Sequence, residues 1–236
     1  MSAEKNEAGP TRDERNRELD SPNDRFGERL RTNVSAEGVQ AKIIESETRL
    51  LERTFEELLA SGVVPHASTI VVGARRRYLA GWGKSSAYAA LLNADLSATL
   101  SNVFLIDGHA LSPLTVLTDV RASDVLVLVT LRRYRDEAIA LGRLFHEAGG
   151  QLVLITDSAD SPLADLADAV IVVHTDSASY ADSPTGVAAV CHLLSTLATA
   201  SAKGARRRLA ARDDLIVALG LHHPDGHQAT SRKARK

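Results

Sequence analysis

Three consecutive arginines, Arg75, Arg76 and Arg77, and the cluster Thr130-Leu131-Arg132-Arg133-Tyr134 are the residues best suited to chemistry on an anion. A third polar group, Thr156, Asp157, Ser158 and Ser161, offers hydroxyls and a carboxylate. Each group follows an apolar run: Ser68–Gly73, Val125–Val129 and Leu152–Ile155. Arginine presents a planar fork matched to phosphate. A hydroxyl and backbone N–H groups beside it add hydrogen bonds to the same oxygens. The first two groups therefore suit a phosphate, and the third suits sugar hydroxyls. Plainer readings compete: a solvated rim for the three arginines, a helix cap for Thr130, and simple turns for the third group.

Turnover would need more. Moving a proton between adjacent carbons of a ligand requires a carboxylate or histidine placed beside them. Glu137 and His192 are the candidates, but no pair has the spacing for it, so no catalytic residue is assigned. A histidine on an apolar helix face is usually a satisfied core residue. His222, His223 and His227 could hold a metal only loosely, and a solvated tail explains them as well. One cysteine cannot make a zinc site or an internal disulfide, and the apolar neighbours of Cys191 mark it as a buried helix residue. Neither a metal nor a cofactor is implied.

The elements that must position these groups form a repeating pattern. The run Val125–Val129 reads as a strand buried on both faces, as in a parallel sheet. Ile139, Leu141, Leu144 and Phe145 then form a helical stripe, Gly149-Gly150 stops it, and Leu152–Ile155 is a second strand. This is a βαβ unit with a right-handed crossover. Further strands are read at Ser68–Gly73, Val103–Asp107 and Ala169–Val173. Helices are read at Ala36–Ser61, at about Tyr78–Leu92, within His109–Val120, at about Pro184–Ala202 and at Arg206–Leu219. Gly81 and Gly83 weaken the second of these unless a backbone or a ligand must come close. Pro162 suits the first turn of a short helix. The fold class is α/β: a three-layer α/β/α sandwich around a five-stranded parallel sheet. Ligands of such sheets bind outside the carboxyl ends of the strands.

Composition sets the limits. With 236 residues, 44% hydrophobic and 25% charged, the chain suits one buried domain plus tails. Residues 1–34 have too few large apolar side chains to offset chain entropy and are expected to be disordered. Residues 35–220 form the domain, and 221–236 a disordered basic tail. A net charge of −2 gives no general attraction to nucleic acid or anionic membranes. No run approaches a membrane span and no signal-peptide segment is present, so a cytoplasmic location is expected.

The segments Ile70–Arg76, Leu131–Tyr134 and Ile155–Ala164 resemble a sugar isomerase (SIS) domain, specifically the effector-binding half of transcription regulators of the RpiR/MurR type. The resemblance covers about Lys42–Ala202, and Thr156-Asp157-Ser158 with Ser161-Pro162-Leu163-Ala164 is its most specific part. A subgroup of those domains carries Gly-x-Arg-Arg-Ser after the first strand and Ser-Phe-Arg-Pro-Tyr after the third. Arg77 and Thr130 stand where those motifs have serine. The resemblance implies a flavodoxin-like fold and a phosphosugar or related carbohydrate derivative bound without turnover; a homodimer or homotetramer is also expected. Apolar faces on the first and last helices agree with self-association. The alternatives are a sugar-phosphate isomerase and an RpiR-type transcriptional regulator. Nucleic-acid binding is not expected, because residues 1–34 are too short and polar for the helix-turn-helix domain of those regulators.

Overall fold

The structure, a computed structural model, describes residues 22–29 and 35–221. His222, His223 and His227 lie outside the described residues, as do 1–21 and 30–34. In order, the elements are helix α1 (Pro22–Arg29), α2 (Ala36–Ser61), α3 (Val63–Gly73), strand β1 (Arg76–Gly81), α4 (Ser85–Thr99) and β2 (Val103–Ile106). There follow α5 (Pro113–Leu117), β3 (Asp124–Val129), α6 (Asp136–Glu147), β4 (Gln151–Thr156), a 3-10 turn (Ala164–Leu166), β5 (Ala169–Val172), α7 (Thr185–Ser201) and α8 (Ala205–Ala218).

All five strands run parallel, in the order β2-β1-β3-β4-β5. Strand residues alternate between two cores. Leu79, Val125, Val127, Val153 and Ile171 face one apolar cluster with Val71, Leu92, Val190 and Leu194 of α3, α4 and α7. Tyr78, Ala80, Leu126, Leu128 and Leu152 face the other, with Val116, Leu141 and Phe145 of α5 and α6. Every residue of β3 is buried, as its unbroken apolar run predicts. The expected three-layer α/β/α sandwich is the observed architecture.

Local chemistry sets the boundaries. The Ser35 hydroxyl caps α2 by accepting from the Gly38 N–H. Gly62, at φ +65°, ends that helix with its N–H donating to the Leu58 carbonyl at 3.2 Å.

Two expectations are corrected. The run Ser68–Gly73 is no strand but the second half of α3. Its buried residues Val64, Ala67, Ser68 and Val71 repeat at helical spacing, and the helix packs between the sheet and α7. A short, β-branched, apolar run does not distinguish the two states by itself. The first strand is instead Arg76–Gly81, so Tyr78 lies inside it, and the next helix begins at Ser85. The other correction is Pro22–Arg29, placed by composition in a disordered segment but helical here. Arg25 anchors it: its side chain is buried and ion-paired with Asp182 at 2.6 Å. Polar composition hides a helix held by one deeply placed guanidinium.

Candidate functional site

The sheet order reverses between β1 and β3, and the chain leaves both strands at the same level, with Gly81 opposite Val129. This is the crevice where ligands of open α/β sheets bind. After β1 the chain turns through Trp82-Gly83-Lys84 directly into α4. The turn is so tight that a Cβ on Gly81 would lie 2.5 Å from the Ser85 carbonyl oxygen. After β3 it passes through Thr130–Arg135 into α6. Neither helix start has a side-chain cap, since Lys84 and Arg135 occupy the cap positions. Both N-termini therefore present partial positive charge towards the crevice.

Between these loops lies a pocket of about 520 Å³. Among the described residues, five cationic side chains line it, Arg25, Lys84, Arg132, Arg133 and Arg135, against one carboxylate, that of Asp182. The buried hydroxyls of Ser85 and Thr130 also line it and have no hydrogen-bond partner among the described residues. Tyr88 adds a buried phenol, likewise unpartnered, which burial and nearby negative charge push up to about 12. It stays protonated at neutral pH and is available as a donor.

Asp182 closes the pocket from the loop before α7. Its carboxylate accepts from Arg25 at 2.6 Å and from Arg132, and its carbonyl accepts from the Lys84 ammonium. Burial alone would raise its pKa, but hydrogen bonds and charge from Arg132 and Arg25 outweigh burial and hold it below the usual value. The Arg132 pKa is raised in turn: burial opposes its charge, and the bond to Asp182 prevails.

Of the ten residues expected to bind ligand, Thr130 and Arg132 line the pocket. Tyr134 and Asp157 stand behind them. The Asp157 carboxylate accepts from the Tyr134 hydroxyl and from the Arg132 backbone N–H, each at 3.0 Å. It thereby fixes the loop that carries Arg132. Both oxygens are committed, so Asp157 positions the site and does not line it. Burial and the charge of Asp157 push the Tyr134 hydroxyl up to about 12. Thr156 is fully buried at the end of β4, and Ser158 and Ser161 build the turn that follows, the Ser158 hydroxyl accepting from the Asp160 N–H.

Arg75, Arg76 and Arg77 are not brought there. They sit at the amino end of β1, the opposite edge of the sheet, and each is engaged by protein. Arg75 makes a two-pronged ion pair with buried Asp124 at 3.0 and 2.8 Å. Arg76 pairs with Asp119 at 2.5 Å. Arg77 is buried and donates to the carbonyls of Val71, Val72 and Ser101. The displaced first strand explains the error, because it reverses which end of β1 these residues occupy. Glu137 and His192 are both exposed and outside the pocket lining, so His192 is not a core residue. Cys191 is buried as expected, and desolvation pushes its thiol up to about 12. Tyr180 lies outside the lining and meets Phe26 of α1 edge-on, with ring centroids 6.3 Å apart.

Sequence reasoning missed Arg25, Lys84, Ser85, Tyr88 and Asp182. Gly81 and Gly83 were a usable signal, since they mark the close approach that brings Lys84 and Ser85 to the crevice. Nothing in the sequence around Arg25 or Asp182 singles them out.

Comparison with known proteins gives this geometry a family. The SIS domain model matches residues 70–203, more than half of the chain. The chain belongs to the SIS-domain family. Solved structures agree on the fold. The sugar isomerase domain of an RpiR transcription factor from Sphaerobacter thermophilus is 22% identical, with 76% of this chain and 98% of that one covered and a TM-score of 0.67. The NanR protein of Vibrio vulnificus, solved in complex with ManNAc-6P, is 17% identical over 75% of this chain and 67% of its own, with a TM-score of 0.64. A Methanococcus jannaschii protein, inferred to be a 3-hexulose-6-phosphate isomerase, is 12% identical over 76% and 96%, with a TM-score of 0.56. Comparison with curated protein sequences gave no match. Among the described residues of this SIS domain, no single helix is long and apolar enough to cross a membrane.

Proposed function

We propose that this SIS domain binds a phosphorylated sugar and senses it without turnover. The observation that carries the reading is the crevice between β1 and β3, where five cations face one carboxylate beside the Ser85 and Thr130 hydroxyls. That balance calls for an anion with several acceptor oxygens, which a phosphate ester supplies. The pocket volume of about 520 Å³ admits a sugar phosphate. NanR, whose fold this chain shares, was solved with a phosphosugar, which agrees with the reading.

The lining also supports binding without catalysis. Among the described residues it contains no histidine and no glutamate. Its one carboxylate, Asp182, is held below the usual value by two guanidinium groups and is a poor base for a carbon-bound proton. Calorimetric titration and thermal shift against hexose and pentose phosphates, with the parent sugars as controls, test the binding. A ligand at a hundred times its dissociation constant adds about 2.7 kcal/mol of stability. Failure of every phosphosugar would overturn the reading. Turnover of any of them would replace it with an isomerase.

Self-association belongs to the same proposal. Phe55 and Leu59 on α2, and Leu215 and Val217 on α8, are exposed apolar side chains whose burial in a homodimer would be favourable. Light scattering at micromolar concentration checks it, and a monomer there counts against it.

A further inference from the structure

Tyr88 lies three residues beyond Ser85 on α4, so the two side chains share one face of the helix. Helical side chains lean back towards the N-terminus, which directs the ring of Tyr88 from the first turns of α4 towards the crevice. The residue lines the pocket while only 5% exposed. Its ring belongs to the apolar cluster that holds Leu92, Val187 and Cys191. Its hydroxyl is buried and has no hydrogen-bond partner among the described residues. A buried donor left unmet is costly, and phenylalanine would fill the same apolar space without that cost. The hydroxyl therefore does nothing for packing, and the pocket it borders is where a partner can arrive. Burial above all keeps the phenol protonated, so it offers that partner a neutral donor. Asp182, whose negative charge acts on the same phenol, disfavours a second anion beside it.

We propose that Tyr88 is a specificity-determining residue, and that its hydroxyl donates to an uncharged hydroxyl oxygen of the sugar in the bound phosphosugar. The cations and the two helix starts take the phosphate, and the phenol reads the sugar. A sugar phosphate lacking that one hydroxyl leaves the buried donor unmet and is rejected on that account. This inference rests on the phosphosugar reading and adds to it the residue that distinguishes a hydroxylated sugar from its deoxy counterpart.

The test is calorimetric titration with glucose 6-phosphate, mannose 6-phosphate, fructose 6-phosphate and ribose 5-phosphate, each beside its monodeoxy analogues, in the natural protein and in Tyr88→Phe. For the tightest of these phosphates, one monodeoxy analogue is expected to bind the natural protein about tenfold more weakly. Tyr88→Phe weakens the parent phosphate by a similar factor. That one analogue loses no more than about twofold in the variant, because the bond it lacks is the bond the variant lacks. The unliganded variant melts no lower than the natural protein, since it has lost an unmet buried hydroxyl. A phenol with a structural role alone would instead lower the melting temperature and weaken every analogue equally, and that result overturns the proposal. Unchanged affinity in Tyr88→Phe overturns it too, as does equal binding of all the monodeoxy analogues by the natural protein, and neither touches the phosphosugar reading. If none of these phosphates binds, the phosphosugar reading falls and takes this inference with it.

Discussion

The two ends of β1 and β3 use the same residue type in opposite ways. At the amino end, Arg75, Arg76 and Arg77 are engaged by Asp124, Asp119 and three backbone carbonyls. At the carboxyl end, among the described residues, five cationic side chains line a pocket that holds one carboxylate. An arginine is a structural part where its donors meet protein acceptors, and a candidate ligand contact where cations outnumber them. Residue type alone does not separate the cases. Which end of the strand a residue occupies does, because parallel strands direct their following loops to one edge only.

The strongest challenge to this contrast is Arg77→Ala. It leaves the carbonyls of Val71, Val72 and Ser101 without a charged donor. Each such bond is worth about 1.5–3 kcal/mol, so urea unfolding should show a loss of roughly 5 kcal/mol, while ligand affinity of the folded fraction stays unchanged. Arg77→Ser should behave the same way; a change in ligand affinity from either would erase the division between the ends. Arg132→Ala is the converse. Binding should weaken by roughly 2–5 kcal/mol, with Arg132→Lys also weaker, and stability should fall by no more than about 1 kcal/mol because the pair with Asp182 is partly solvated. Unchanged affinity would remove Arg132 from the site.

Gly81→Ala sharpens the contrast from the backbone side. The new methyl meets the Ser85 carbonyl, so the start of α4 must shift. A cost of about 1–3 kcal/mol is expected in unfolding experiments, with weaker ligand binding because Ser85 moves with the helix. The smallest effect concerns acid. Because Asp182 ionises below its usual value in the folded chain, its contribution is complete above about pH 4 and is lost as pH falls through the folded value. Amide protection at Pro22–Arg29, relative to the intrinsic exchange rate at each pH, should therefore fall in acid before that of the sheet does. Equal protection of α1 at pH 3 and pH 7 would show that the Arg25–Asp182 pair does not hold it.

The sequence exposed much of the fold and little of the site. The strands β2, β3, β4 and β5 are short apolar runs flanked by turns, and α2, α6, α7 and α8 carry clear helical periodicity or caps, so their places were legible. β1 was not, because it opens with Arg76 and Arg77 while the neighbouring helix α3 carries the strand-like run Ile70-Val71-Val72. That one exchange moved three arginines to the wrong edge of the sheet. Thr130 and Arg132 were found because β3 was placed correctly, so the loop after it was too. Arg25 and Asp182 could not be found, since their meeting joins two distant parts of the chain and depends on tertiary packing alone.

One wall of the pocket lies outside the region that the family model matches. The family match begins at residue 70, whereas Arg25 lies upstream of it on α1. Two chains alike throughout the matched region can therefore differ at a residue that lines this pocket. Grouping such proteins by the shared domain alone leaves that residue, which faces Asp182 from the upstream helix, out of the comparison.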